Sequence, residues 1–200
     1  MNDNLKTMLE KNFMIIFGET NSATITYVEE AVAQLILKAI TKPTPPDVTL
    51  LISTFGGRFQ LEIYSLLKVY PGKITGFVVN NAQSSGSLIL QACSERISTP
   101  NAKFLIHHGH IDNVRKDDLM DENKLKKFVE ETKRSVKIYY EALSKRTGLS
   151  EDRIREICME DRVMFSDEAI KLGLLDKVWY GPLPFQLGDS IKWPEEDGKK

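Results

Sequence analysis

Ser84 and His107 are the residues from which chemistry could start. They lie in one stretch, Asn80 to His108 (NNAQSSGSLILQACSERISTPNAKFLIHH). Small polar residues open it, and an apolar segment of helix length follows. A Pro100-Asn101 turn then leads to a short apolar strand ending in His107-His108. A serine hydroxyl is a weak nucleophile until a neighbouring base takes its proton, and imidazole suits that task near neutral pH. At a helix start the serine also gains from the helix dipole, and the following amide points at a developing oxyanion. Each residue has a bland reading too: the serine as an N-cap, the histidine as a satisfied surface or half-buried group. Ser84, Ser85 and Ser87 all stand at suitable places, and spacing does not choose among them. Either His107 or His108 could reach the helix, because consecutive strand residues face opposite sides.

Backbone donors and an orienting carboxylate would complete such a site. Gly56-Gly57 follows an apolar strand, where paired glycines allow positive φ and a close backbone approach. The bland alternative is a tight strand-to-helix turn. Asp161 lies between a helix end and the apolar Val163-Met164-Phe165, a place from which it could orient an imidazole or merely end a turn. His110 completes an HHxH run, but no acidic residue or cysteine with clear ligand spacing joins it. No metal or cofactor site is expected.

The elements that must position these groups follow from hydrophobic period and turn chemistry. Phe13 to Phe17 predicts a buried strand closed by Gly18. Thr26 and Glu29 form a capping-box pattern that opens a helix to about Ile40. Lys42 to Asp47, with three prolines, is a loop. Val48 to Ser53 and Ile74 to Val79 predict further buried strands, separated by a helix over Phe59 to Val69. A helix over Ser84 to Cys93 and strands at Arg96 to Ser98 and Lys103 to Ile106 complete the central part. Glu122 to Arg146 is the longest helical pattern, ended by Gly148. Ser150 and Ser166 are placed to cap two more helices, and Leu175 to Trp179 predicts a last strand. Apolar strands alternating with helices imply parallel pairing in an α/β fold.

Bulk properties narrow the function classes. Two hundred residues make one domain, or one domain with a small appendage. The apolar fraction of 42% and charged fraction of 28% are ordinary for a globular protein. A net charge of −1 argues against nucleic-acid binding by bulk electrostatics. The longest apolar runs, about ten residues, are too short for a membrane span. The N-terminus (MNDNLKTMLEKN) has no secretory apolar core. Cys93 and Cys158 sit far apart inside periodic segments, as structural thiols of a reducing compartment do, which implies the cytoplasm.

Together these pieces resemble the proteolytic subunit of Clp protease (ClpP), over about Phe13 to Val178. Thr99 to His107 (TPNAKFLIH) is similar to that family's segment ending in the catalytic histidine. Ile52 to Gly57 (ISTFGG) is similar to its INSPGG, and Ala82 to Gly86 (AQSSG) to its AASMG. Asp161-Arg162, Ser166 to Ala169 and Leu172 to Asp176 resemble its C-terminal aspartate region. The resemblance implies an α/β ClpP/crotonase-like fold of repeated β-α-β units, with a largely parallel sheet and a protruding handle helix. It implies a short N-terminal extension (1–12), a peptidase domain (13–180, handle about 108–147) and a C-terminal tail (181–200). It makes Ser84 the nucleophile, His107 the base and Asp161 its orienter, with the Gly57 and Ser85 amides as oxyanion hole. The substrate would be a peptide or unfolded protein, held in a groove lined by about His108 to Asp121. The assembly would be a homo-oligomeric heptameric ring, possible in stacked pairs through the handle, with a possible AAA+ unfoldase as partner.

Several residues depart from the family pattern. Phe55 replaces a proline before the double glycine. Glu160 stands where many members have an arginine linking the rings. Only about a dozen residues precede the first strand, so the axial loops used for unfoldase docking look truncated. The segment after His107 lacks the family's Gly-rich strand. These departures motivate an alternative, a catalytically weak subunit acting as assembly partner or scaffold. A crotonase-type acyl-CoA enzyme shares the fold but does not require Ser84, His107 and Asp161.

Overall fold

The computed structural model describes residues 3–109 and 116–182. The expected tail therefore lies almost wholly outside the described residues, as does His110. The chain begins with α1 (Asp3–Glu10), within the stretch expected as a short extension. Buried Leu9 anchors it to the core, and the Lys38 ammonium donates to the carbonyl of Glu10 at 3.1 Å, satisfying an otherwise orphaned helix-end acceptor.

Three parallel strands form the centre: β1 (Phe13–Thr20), β2 (Val48–Gly57) and β3 (Ile74–Gln83). Met14, Ile16, Leu50, Ile52, Phe77 and Val78 are all buried here. Each strand runs past its expected end by three to four residues. The apolar run stops early in each case, but the ladder continues through polar residues that are themselves buried, such as Thr20, Thr54, Asn81 and Gln83. In β1 a register shift between Phe17 and Glu19, with Gly18 at φ 81°, lets the strand continue beyond the expected Gly18 stop.

The crossovers are α2 (Ser22–Ile40), α3 (Gln60–Lys68) and α4 (Ser85–Gln91). Helix α2 starts four residues before the expected Thr26. Asn21 is the N-cap: its side chain accepts from the amides of Ala23 and Thr24, at 2.9 and 3.2 Å, while Thr24 Oγ1 accepts from the Asn21 amide. Thr26 instead donates back to the Ser22 carbonyl, so it lies inside the helix.

Beyond α4, strand β3 has two neighbours on one side. Its first half, Thr75 to Val78, pairs with β4 (Glu95–Ser98), and its last residues, Asn81 to Gln83, pair with β5 (Lys103–Leu105). Then come α5 (Lys116–Met120), the long α6 (Glu122–Thr147), α7 (Glu151–Glu160), β6 (Met164–Phe165), α8 (Ser166–Lys171) and β7 (Lys177–Val178). Strand β6 runs antiparallel to β5; every other pairing is parallel. Gly148 ends α6 at φ 77°, and Ser150 caps α7, as expected. Ser166 does not cap α8; its hydroxyl is buried and donates to the Thr99 carbonyl at 2.8 Å. Cys93 and Cys158 are buried and unpaired, and burial pushes both thiols up to about 12. No helix among the described residues is long and apolar enough to cross a membrane.

The C-terminal strand is pinned by an ion pair. Arg96 is 3% exposed, and its backbone amide and Nε donate to Asp176 Oδ2 at 2.8 and 2.9 Å. Its Nη1 also donates to the Gly173 carbonyl, at 2.7 Å. Partial burial pushes the Asp176 carboxyl up, but the hydrogen bonds and charge of Arg96 outweigh it and hold the group below its usual range. A carboxyl depressed on folding contributes stability above its unfolded value, and that contribution is lost as pH falls through the folded one. Asp176→Asn should leave Arg96 buried without a counter-ion. Buried pairs broken this way lose about 3–5 kcal/mol; with Asp176 at the surface edge, about 2–3 kcal/mol is expected by chemical denaturation at pH 7. The gap between variant and wild type should persist through the usual carboxylate range and close only at more acidic pH, as Asp176 itself becomes protonated in the folded wild type.

Candidate active site

Strand β3 delivers Ser84 with a backbone that few residues adopt. Ser84 follows β3 directly and precedes α4, at φ 53° and ψ −119°. This conformation costs a non-glycine residue about 1–3 kcal/mol and needs surrounding structure to hold it. Two contacts do so. The Ser84 amide donates to the Leu105 carbonyl at 2.8 Å, extending the β3–β5 ladder by one residue. On the other side the Gly56 backbone presses against the serine: a Cβ at Gly56 would lie 2.5 Å from Ser84 Cβ and 3.0 Å from its Oγ. Gly56 and Gly57 sit at φ 112° and 140°, a region glycine adopts without penalty.

Although Ser84 occupies the N-cap position, its hydroxyl caps nothing. Ser84 Oγ lies 2.9 Å from His107 Nε2. The opposite ring nitrogen, His107 Nδ1, lies 3.0 Å from Asp161 Oδ1. His107 is two residues beyond β5, and the imidazole is largely buried at 16% exposure. Asp161 ends α7 in the left-handed region (φ 43°, ψ 46°), which aspartate tolerates better than most residues. Its carboxylate remains 58% exposed. Arg162, the next residue, bonds Glu160 at 2.8 Å and also pairs with Glu168, bracketing Asp161 from both sides. Glu160 is thus engaged within its own chain.

The neighbouring candidates fall to other roles. The Ser85 side chain is fully buried and bonds Thr20 Oγ1 at 2.7 Å. Ser87 donates to the Ala82 carbonyl. His108 bonds instead to the hydroxyl of Tyr140, whose ring centre lies 5.3 Å from the Arg155 guanidinium carbon. The two histidines therefore engage different partners, although both lie beyond the end of β5 rather than in the strand expected to carry them. Phe55, the residue before Gly56, is 71% exposed and does not line the cleft beside His107. A cleft of about 310 Å³ opens beside His107 and is lined by His108 and by Phe128, Thr132, Val136 and Tyr139 of α6. Of the segment expected to line a groove, His108 does so, and residues 110–115 lie outside the described residues. The α6 contribution was not anticipated. Its signal was present in the spacing of Phe128, Thr132, Val136 and Tyr139, which repeats at one helix face.

A mostly parallel sheet with crossover helices, a long projecting helix and a serine at the end of the third strand define an α/β protein of the ClpP/crotonase-like fold. The profile of the Clp protease family matches residues 1–181. The chain belongs to the Clp protease family. It is 27% identical over 137 residues to ATP-dependent Clp protease proteolytic subunit 2 of Corynebacterium jeikeium, covering 66% of this chain and 64% of that relative. It is 25% identical over 154 residues to proteolytic subunit 3 of Nocardia farcinica, covering 75% of this chain and 68% of the relative. For proteolytic subunit 1 of Chlamydia muridarum the figures are 28% over 157 residues, with 76% and 79% covered.

The fit between Gly56 and Ser84 makes a direct prediction. Gly56→Ala places a methyl group where Ser84 stands and also strains its own backbone. The hydroxyl should be displaced from His107, and fluorophosphonate labelling of Ser84 should slow by about 10²-fold, the effect of a misplacement near 1 Å. Circular dichroism should remain that of the wild type, because Gly56 lies at a strand end. Labelling at the wild-type rate would show that this contact does not position the serine.

Proposed function

We propose that the chain is a serine peptidase of the ClpP kind, cutting peptide bonds with Ser84, His107 and Asp161. One observation carries this reading: a single imidazole spans Ser84 Oγ and Asp161 Oδ1 through its two different ring nitrogens, at 2.9 and 3.0 Å. These are the distances at which a nucleophile–base–orienter relay operates. With Nδ1–H donating to Asp161, Nε2 is left as acceptor. The Ser84 hydroxyl then gives its proton to Nε2 as Oγ attacks the scissile carbonyl carbon. The imidazolium returns that proton to the leaving amine as the C–N bond breaks, and a water molecule repeats the sequence to release the acyl group. Asp161 stays ionised and stabilises the imidazolium. The Gly57 and Ser85 amides are the donors that stabilise the carbonyl oxygen as it gains charge.

Substrate would lie along the cleft between His107 and α6, with an extended peptide backbone and a side chain against Phe128 and Val136. A long helix with exposed Leu125, Val129 and Ile138 supports assembly through α6, in rings of identical subunits. The ATP dependence in the relatives' names supports a Clp ATPase as partner and the cytoplasm as the place of action. An arranged serine–imidazole–carboxylate set favours this reading over a scaffold subunit. It also favours it over acyl-CoA chemistry, which does not call for that set.

Fluorophosphonate should label the wild type once per subunit. Ser84→Ala should abolish labelling and lower short-peptide hydrolysis by roughly 10⁴–10⁶-fold, as loss of a triad nucleophile does. Labelling that persists at Ser85 or Ser87 in that variant would overturn the assignment. His107→Ala should fall nearly as far as Ser84→Ala, and the double variant no further, because the residues act as a unit. Light scattering should find a species several times the subunit mass of 22.7 kDa. A monomer at micromolar concentration would refute the ring.

A further inference from the structure

We propose that Thr20 and Ser85 form a buried hydroxyl clamp that sets the spacing of the two oxyanion donors, the amides of Gly57 and Ser85. The proposal rests on the peptidase reading and assigns to it a positioning pair. Thr20 is the last residue of β1 and Ser85 the first of α4, and both are 0% exposed. Their hydroxyl oxygens lie 2.7 Å apart across 65 residues of sequence. This bond ties the residue carrying one donor to the end of β1.

Thr20 holds the other donor through its backbone. It stands in register with Gly57 in the parallel β1–β2 ladder. The Thr20 carbonyl accepts from the Arg58 amide, one residue beyond Gly57, at 2.7 Å. Gly57 lies so close that a Cβ there would collide with the Thr20 carbonyl and stand 2.8 Å from its hydroxyl. One residue thus touches both donor-bearing segments, by its side chain on one side and its main chain on the other. The Ser84 hydroxyl is untouched by this clamp, because it faces His107. Thr54 performs a similar service one strand across: its hydroxyl accepts from the Gly56 amide at 3.0 Å, and its methyl fills the space a side chain at position 86 would need, which Gly86 leaves free.

Oxyanion donors act on charge that exists only in the transition state. A change in their spacing should therefore lower kcat and leave KM nearly unchanged. A buried hydroxyl left without its partner is also worse than an apolar pair that lacks both. Ser85 would be so orphaned in Thr20→Val, whereas Thr20→Val with Ser85→Ala removes both oxygens and leaves the shape.

The experiment measures peptide hydrolysis in the full-length assembled protein, normalised to sites labelled by fluorophosphonate, for Thr20→Val, Ser85→Ala, the double variant and Thr20→Ser. Thr20→Val should lose about 10–100-fold in kcat, less than deletion of a whole donor, with KM within about threefold. A peptide boronate, whose tetrahedral adduct occupies the donor site, should lose affinity by the same factor as kcat/KM. Thr20→Ser keeps the hydroxyl and should stay within about threefold of wild type, and the double variant should be no worse than Thr20→Val. Wild-type kcat in Thr20→Val, a loss confined to KM, or unchanged boronate affinity beside a fallen kcat would each overturn the clamp. If Thr20→Val does not fold, Ser85→Ala decides on the same readouts, since it deletes a single oxygen. A wild type that neither labels nor cleaves overturns the peptidase reading and the clamp with it. A labelled wild type with unaffected variants overturns the clamp alone.

Discussion

The hydrogen bond from the Ser84 amide to the Leu105 carbonyl is the contact on which the candidate site depends. It extends the β3–β5 ladder by one residue, past the last residue of β3 and onto the last of β5. The two chains must then leave the sheet side by side. Ser84 turns into α4 and His107 emerges two residues beyond β5, so their side chains meet without a long loop to order. That arrangement needs β3 to change neighbours midway, from β4 to β5. Two short strands share one long one, and the serine and imidazole face each other just beyond the ends of β3 and β5.

Unusual backbone gathers at this place. Ser84 and Asp161 have positive φ, as do Gly56 and Gly57 beside the serine, and Phe59, just before Gln60 of the cleft, has it too; Asn12 lies apart from the site. Each non-glycine case opposes folding by about 1–3 kcal/mol. The sheet beneath and helix α4 offset that cost with side chains such as Leu50, Ile52 and Phe77 of the sheet and Leu88 of the helix, all at 0% exposure. Burial of one such side chain contributes about 1.5–3 kcal/mol, so the strain is small against the core that supports it. The carboxylate is held differently. Asp161 is exposed, and its position follows from the end of α7 and from Arg162, which reaches both Glu160 and Glu168. Exposed pairs of this kind are individually weak, but here they bracket a single residue.

Much of this was legible in the sequence, because local chemistry wrote it there. Hydrophobic runs located β1, β2 and β3; Gly148 and Ser150 placed the turn between α6 and α7. The misplaced boundaries share one cause. Thr20, Thr54, Asn81 and Gln83 are polar residues buried by the ladder and by neighbouring segments, and a one-dimensional hydrophobic pattern ends a strand wherever a polar residue appears. The same effect hid Thr20, which lay beyond the expected end of its strand. Asn21 was passed over in favour of Thr26 because several polar residues there satisfy a capping pattern, and only backbone geometry selects among them.

The sequence by itself determined the α/β class, the parallel order, and the presence of serine, imidazole and carboxylate in one family's order. It did not choose, from spacing alone, among Ser84, Ser85 and Ser87 or between His107 and His108; that choice came from resemblance. Only the tertiary structure decided where each hydroxyl points: Ser84 to His107, Ser85 to Thr20, Ser87 to Ala82. The reason is that side-chain direction here is set by partners 5 to 65 residues away and by a positive φ at Ser84, and no local propensity encodes either.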